Sequence, residues 1–155
     1  MARLGALFAC FGCLCSLLLE VQSFGDYYIQ HKESKLYVDE HAQLVESKDQ
    51  AALYRSIYAP RSLYANIKEI KSRKILEIDG GCWGRNITMA KAFQGKHQRF
   101  HLESNKPMKS LCHNRRLFVV PDKNMKNLIV EEMLPEQRSR FLFDKISIGH
   151  FNFNP

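Results

Sequence analysis

Short runs of branched aliphatic and aromatic residues recur along the chain, and turn-forming residues end each run before it reaches the length of a helix. No window of about 12 residues carries a helical stripe of apolar positions, although residues 46–53 favour one helical turn. The runs form three similar sets, in which the equivalent positions Leu36, Ile75 and Leu117 lie about 40 residues apart. Self-similarity at such a period indicates a repeat architecture.

Each of the three sets offers four short strands, and the first strands are predicted at residues 28–30, 65–67 and 109–111. One set cannot bury its own apolar face, whereas three sets around a pseudo-threefold axis close a barrel and leave no exposed edge. The pattern therefore predicts an all-β domain with the β-trefoil fold, built from three repeats of four strands each. An irregular β-sandwich is the alternative.

The start of the chain differs from the repeats in being apolar over a short, uncharged stretch. Leu4 to Leu19 follow Arg3 and are fewer than the roughly 20 residues that a membrane helix needs. Val21 and Ser23 then supply the small side chains of a cleavage site. We therefore expect a signal peptide over residues 1–23 and one secreted, extracellular domain over residues 24–155. A signal anchor is the alternative.

Secretion gives meaning to two further features of the mature chain. The mature chain keeps only two cysteines, Cys82 and Cys112. An oxidising compartment favours a disulfide between them over two free thiols. The tripeptide Asn86-Ile87-Thr88 is an N-glycosylation acceptor. Use of this sequon requires Asn86 to be exposed.

The chain is basic, with a formal net charge of +7 that is concentrated in its second half. Outside the cell, sulfated glycans, anionic lipid headgroups or acidic proteins are the expected acidic partners, and nucleic acid is not. Equivalent turns of the second and third repeats are predicted to form one basic rim, unless the charge is merely a solvated surface. The rim residues are Lys71, Arg73, Lys74, His113, Arg115 and Arg116.

The second repeat resembles one subdomain of the ricin-B-type lectin family. Residues 75–81, Ile-Leu-Glu-Ile-Asp-Gly-Gly, are similar to that family's Cys-Leu-Asp-Val-Asp-Gly-Gly. Gln98-x-Phe100 stands where the family has Gln-x-Trp, a pair that reports the trefoil fold because the ring enters the core and the amide satisfies turn backbone groups. The other repeats keep the rhythm but little of the motif. The resemblance implies a β-trefoil and a carbohydrate ligand.

The family's sugar site consists of a carboxylate, an aromatic ring and an amide. The resemblance places the carboxylate at Glu77 and the amides at His97 and Gln98, but Ala90 or Lys91 falls at the ring position. Val38 and Val119 are predicted at the carboxylate positions of the other repeats, and Ile75 and Phe93 replace the family's intra-repeat disulfide. At most one altered site remains.

The candidate glycan-binding residues are Glu77, Asp79, His97, Gln98 and Trp83. Asp79 is also a simple turn residue before two glycines, and Glu77 is also interpretable as an idle, solvent-facing strand residue. Trp83 is the single tryptophan and lies between Gly81 and Gly84. It is either an exposed platform for a sugar or protein partner, or a ring packed against the disulfide.

Catalysis finds little support in the motifs of the chain. It has no His-Glu-x-x-His, Gly-x-Ser-x-Gly or phosphate loop, and its six histidines are scattered. We expect a monomeric, non-catalytic binding module without metal, cofactor or membrane span. Acidic or sulfated glycans suit its charge best as ligands. A protein-binding trefoil, such as a cytokine-like ligand or a protease inhibitor, is the alternative.

Overall fold

The computed structural model describes residues 25–93, 95–112 and 117–148. The predicted signal peptide over residues 1–23 and the rim residues His113, Arg115 and Arg116 lie outside the described residues. Within the described ranges, no helix is both long enough and apolar enough to cross a membrane.

The described residues form thirteen short strands that belong to one sheet. The first repeat contributes β1 (Tyr27–His31), β2 (Tyr37–Val38), β3 (Leu44–Val45) and β4 (Tyr54–Tyr58). The second contributes β5 (Ala65–Glu69), β6 (Ile75–Ile78), β7 (Ile87–Ala90) and β8 (Phe100–His101). The third contributes β9 (Lys106–Pro107), β10 (Lys109–Ser110), β11 (Leu117–Pro121), β12 (Leu128–Glu132) and β13 (Leu142–Ser147).

Short 3-10 helices lie in the connections between these strands. They span Lys48–Gln50, Gly81–Trp83, Lys96–Gln98 and Pro135–Phe141. The first lies inside residues 46–53, so the predicted helical turn is confirmed. Its start is capped by Ser47, whose side chain accepts a hydrogen bond from the backbone N–H of Asp49.

Six strands close a ring, as the trefoil prediction requires. The order β10-β8-β5-β4-β1-β13-β9 returns to its start because β9 and β10 are two parts of one strand, separated only by Met108. The ring is sealed between β1 and β13, which pair in register from Tyr27 with Ser147 to His31 with Phe143. Closure removes the exposed sheet edges, and the predicted β-trefoil is confirmed.

The hairpins β2–β3, β6–β7 and β11–β12 lie outside this ring and join one another. The backbone N–H of Leu44 donates to the Lys126 carbonyl (2.8 Å), which ties the first hairpin to the third. The N–H of Val130 donates to the Arg85 carbonyl (2.8 Å), which ties the third to the second. The three hairpin turns therefore meet at one place.

The core consists of alternate strand residues from all three repeats. Tyr54 and Phe100 are fully buried in it, which confirms the core role predicted for Phe100. Phe141 is equally buried but packs with Val120 and Ile129 in a smaller second cluster. Buried polar side chains are paired throughout the described residues.

The register of the hairpins corrects one alignment between the repeats. Val38 pairs with Leu44 and Ile78 pairs with Ile87, and an aspartate directly follows both Val38 and Ile78. Val38 is thus equivalent to Ile78, and the residue at the position of Glu77 in the first repeat is Tyr37.

In the third repeat, Pro121 pairs with Leu128 and is followed by Asp122. Val120, and not Val119, is therefore equivalent to Glu77. Val38 and Val119 are both fully buried core residues. The predicted alignment was wrong by one residue because the apolar runs differ in length between repeats. The conclusion that these repeats lack the carboxylate is unchanged.

The disulfide between Cys82 and Cys112 is present, with a Cα–Cα distance of 5.1 Å. It joins the β6–β7 turn of the second repeat to the segment after β10 in the third. The prediction of this pairing is confirmed.

Candidate functional site

Three of the predicted site residues meet beside β6. The Glu77 side chain is only 19% exposed, and its Oε2 accepts a hydrogen bond from Nε2 of Gln98 (2.7 Å). Nε2 of His97 lies 3.6 Å from the same oxygen, and that imidazole is 29% exposed. The carboxylate and the imidazole therefore form a half-buried polar cluster that solvent still reaches.

Gln98 holds this cluster in place and does not itself face a ligand. The residue is fully buried, and its Nε2 also donates to the Lys91 carbonyl (2.9 Å). Its Oε1 accepts from the backbone N–H of Phe93 (2.7 Å). These contacts are the predicted satisfaction of turn backbone groups. The direct glycan-binding role given to Gln98 is thus wrong, because both ends of its amide are engaged inside the fold.

Glu77 retains one hydrogen-bonding oxygen. In the part of the chain that the structure describes, Oε1 of Glu77 makes no hydrogen bond, whereas Oε2 is fixed by Gln98. A held carboxylate with a vacant oxygen is a good acceptor for a ligand hydroxyl, because little side-chain entropy remains to be lost.

Gly95 allows the imidazole of His97 to lie close to the backbone. A Cβ added at Gly95 would come within 2.3 Å of Cε1 of His97. The position of the ring therefore depends on glycine at this site.

Asp79 is not part of the cluster. It is exposed, and its backbone N–H donates to the Asn86 carbonyl (2.9 Å) at the mouth of the β6–β7 hairpin. Its side chain forms no hydrogen bond with any described residue. Its observed position is that of a turn residue. Neither Ala90 nor Lys91 has an aromatic side chain, so neither supplies a ring beside Glu77.

The tight turn between β6 and β7 presents Trp83 to solvent. The residue is 74% exposed on the 3-10 helix Gly81–Trp83, which neighbours the helix Lys96–Gln98 that carries His97. Gly80 and Gly81 have φ angles of +79° and +76°, which favour glycine. The exposure of the indole favours a platform over a ring packed against the disulfide.

Phe93 is a candidate that is absent from the site residues predicted by the sequence. It is 74% exposed, on the segment whose backbone Gln98 binds. In the sequence it was interpreted only as the replacement of a family cysteine. Its position in a non-alternating segment between β7 and the next 3-10 helix is the signal that a large apolar residue there is not a core residue.

The basic turn between β5 and β6 is built on a buried carboxylate. Glu69 is 3% exposed, and it accepts hydrogen bonds from the backbone N–H groups of Lys71 (2.9 Å) and Ser72. Burial alone would raise the pKa of Glu69, but the hydrogen bonds from Ser72 and Lys71 outweigh it and lower the pKa below its usual value.

Three members of the predicted basic rim lie on this turn. Lys71, Arg73 and Lys74 are exposed and form no ion pair with any described residue. Arg73 has a φ of +61°, so its side chain projects from a left-handed position. Since the other three members lie outside the described residues, the continuous rim stays a prediction.

Asn86 is exposed at the end of the β6–β7 turn, as a glycan acceptor must be, although its use stays a prediction. No group of three or more His, Cys, Asp or Glu residues within the described ranges is arranged to hold a metal ion.

Three solved structures that match this chain each contain a unit of similar fold. The designed three-fold symmetric protein ThreeFoil is 11% identical, with a TM-score of 0.64 over 80% of this chain and 99% of its own. A GH43 β-1,3-galactosidase is 16% identical, with a TM-score of 0.62 over 83% of this chain and 28% of its own.

The GlcNAcα1-4Gal-releasing endo-β-galactosidase from Clostridium perfringens is 9% identical, with a TM-score of 0.63 over 81% of this chain and 33% of its own. The chain thus spans a third or less of both galactosidases. At these identities the similarity shows the fold alone. No protein-family model and no curated protein matches the chain, and the resemblance to ricin-B-type lectins stays a prediction.

Proposed function

We propose that this protein is a secreted, non-catalytic carbohydrate-binding module whose site lies in the second repeat. The observation that carries the proposal is the held carboxylate of Glu77, which keeps one oxygen for a ligand beside the imidazole of His97. Sugars are bound by such acceptors for their hydroxyl groups together with an aromatic face for their apolar side.

Trp83 and Phe93 supply aromatic surface on the two segments next to the cluster. Both are 74% exposed, and each is tied to the cluster by structure: Trp83 through the neighbouring 3-10 helices, Phe93 through Gln98. They substitute for the ring that Ala90 does not provide. The two matching galactosidases support the proposal weakly, since this chain corresponds to a minor part of each.

The chemistry of the cluster favours a neutral sugar at this position. A negatively charged Glu77 repels the carboxylate or sulfate of an acidic glycan, whereas it accepts hydrogen bonds from uncharged hydroxyls. A sulfated chain is expected instead at the turn of Lys71, Arg73 and Lys74, where the exposed cations form no ion pair with a described residue.

The test is a glycan array that includes sulfated glycosaminoglycans, probed with the mature protein at low and high salt. Neutral-sugar binding should be insensitive to salt and fall at least about tenfold in Glu77→Gln, which keeps the shape but removes the charge. Trp83→Ala should weaken the same binding. Glu136→Gln, at an exposed glutamate on another 3-10 helix, is the matched control.

Binding to sulfated chains should fall steeply with salt and disappear when Lys71, Arg73 and Lys74 are replaced by serine. Neutral-sugar binding that survives Glu77→Gln would reject the proposed site. A blank array at low salt would reject carbohydrate binding altogether.

A protein-binding trefoil, such as a cytokine-like ligand or a protease inhibitor, is the second candidate. It is favoured by the exposure of Trp83, Phe93 and Leu63, each of which is more than two-thirds exposed. Large exposed aromatic residues are typical anchors of protein interfaces. Partner binding that resists high salt and is lost in Trp83→Ala would support this function.

A further inference from the structure

A cleft lined by both polar and apolar residues opens where the three hairpin turns meet. Its volume is about 640 Å³, within the range of small-molecule sites. The first hairpin contributes Gln43, the second Asn86 and Thr88, and the third Lys123 and Asn124. None of the residues that line it belongs to the Glu77 cluster, so the cleft is a separate feature of the molecule.

The walls of this cleft combine uncharged hydrogen-bonding groups with the apolar side chains of Ile87, Leu128 and Ile129. Arg85 lines it but is ion-paired with Glu131. Asp122 also lines it, but its carboxylate accepts from the backbone N–H of Lys126 (2.9 Å) and from Asn127 (2.9 Å). These two charges are engaged and Lys123 keeps its charge, while the amide and hydroxyl groups of the walls can bind the hydroxyl and acetamido groups of a sugar.

Two groups on the third-hairpin wall remain available to an occupant. The side chain of Asn124 forms no hydrogen bond with the described residues, and Lys123 forms no ion pair with them. An amide that both donates and accepts, next to a flexible ammonium group, can bind successive polar groups of one ligand.

The glycosylation sequon lies in the part of the cleft that the second hairpin contributes. Asn86 and Thr88 both line the cleft, and Asn86 is exposed. The backbone of Asn86 is fixed, since its carbonyl accepts from the N–H of Asp79 (2.9 Å) and it forms a β-bridge with Ile129. A sugar attached to the amide nitrogen of Asn86 would therefore begin at the wall of the cleft and need no rearrangement of the backbone.

We propose that Asn86 carries an N-glycan whose innermost sugars lie in this cleft and contact Asn124 and Lys123. The proposal requires passage through the secretory pathway but is independent of the sugar-binding role of Glu77. A tethered ligand has a high effective concentration at its site, so weak contacts suffice to keep it bound. The glycan then bridges the second and third hairpins and stabilises the fold.

The first measurement is the occupancy of Asn86, by mass spectrometry of the full chain secreted from eukaryotic cells. The second is a double-mutant comparison of thermal unfolding. Asn124→Ala should lower the melting temperature of the glycosylated protein by about 3–5 °C. The same substitution should have little effect in an Asn86→Gln background, which lacks the glycan. Gln50→Ala, at an exposed amide outside the cleft, should have equal effects in both backgrounds.

Trimming supplies a second test that leaves the polypeptide unchanged. Cleavage of the glycan after its first N-acetylglucosamine should retain part of the stabilisation if that sugar lies in the cleft. A secreted protein with unmodified Asn86 overturns the proposal. Equal effects of Asn124→Ala with and without the glycan overturn the placement of the sugars in the cleft.

Discussion

His31 and Glu69 are buried titratable residues at equivalent places in two repeats. Each ends the first strand of its repeat, and its N–H donates to a carbonyl five residues later, in Leu36 or Lys74. Each side chain then binds its own turn: His31 binds Ser34 (2.8 Å), and Glu69 binds the N–H groups after it. Different chemistry thus stabilises the same turn, and the two residues respond differently to pH.

The neutral imidazole of His31 should make folding stability depend on pH. Burial lowers the pKa of His31, although its hydrogen bond to the Arg140 carbonyl and the charge of Glu33 raise it in part. Because the pKa of His31 is lower in the folded state, the unfolded state binds the proton at a higher pH than the folded state does. The contribution of His31 to folding stability is complete above roughly pH 6.5. It is lost as the pH falls through the pKa that His31 has in the folded state.

Urea unfolding at about pH 7.5 and about pH 5.5 measures this loss. Wild type and His41→Gln, which alters an exposed histidine, should both be less stable at the lower pH. His31→Gln should reduce that difference. An unchanged pH dependence in His31→Gln would show that another group titrates. Glu69 does not interfere, because its pKa lies below the usual carboxyl value and it loses its charge only at more acidic pH.

At the scale of elements, the β6–β7 turn is a tightly constrained segment next to the site. Its backbone closes so tightly that a Cβ at Gly84 would lie 1.6 Å from the Asp79 carbonyl oxygen. The turn holds Trp83 and is covalently joined to the third repeat at Cys82. Its geometry decides where the indole lies relative to His97.

Gly84→Ala should destabilise the protein by about 3 kcal/mol, the upper end for overpacking, because the methyl group meets backbone that cannot move aside. The near-ultraviolet signal of Trp83 should change as the turn shifts. Gly25→Ala is the control, since a Cβ there meets nothing within 4 Å. Equal stability of the two variants, measured by urea unfolding, would contradict the tight turn.

Removal of the disulfide should cost about 3–4 kcal/mol, the amount expected for a closed loop of this length. The paired replacement Cys82→Ser with Cys112→Ser avoids a lone thiol. Denaturant unfolding should show the loss, and a reducing agent should produce the same loss in wild type but none in the variant. A wild type indifferent to reduction would contradict a stabilising role for the bond.

At the scale of the whole molecule, periodicity was enough to predict the trefoil. Alternating short runs fix which residues enter a shared core, as the burial of Tyr54 and Phe100 shows. Periodicity did not fix the register, because β2 is shorter than β6 and the match shifts by one residue. The resemblance in the second repeat brought Glu77 and His97 together but misassigned Gln98, whose burial depends on contacts with distant backbone.

The exposure of Phe93 and the cleft beside Asn86 were beyond prediction for a related reason. Both depend on how segments from different repeats pack together. The distances between such segments cannot be read from a single sequence. A glycosylation motif locates an acceptor, but only the hairpin contacts show which surface its sugar would face.

Because the first strand, β1, pairs with the last strand, β13, the three repeats form a closed ring. The same ring can therefore form whichever repeat comes first in the chain. Ile148 N donates to the Asp26 carbonyl at the end of this strand pair, so a short Gly/Ser linker can connect the two strands. A circular permutant that starts at residue 62, in the exposed β4–β5 turn, should fold with a melting temperature within about 5 °C of wild type. A permutant opened within β11 should not fold.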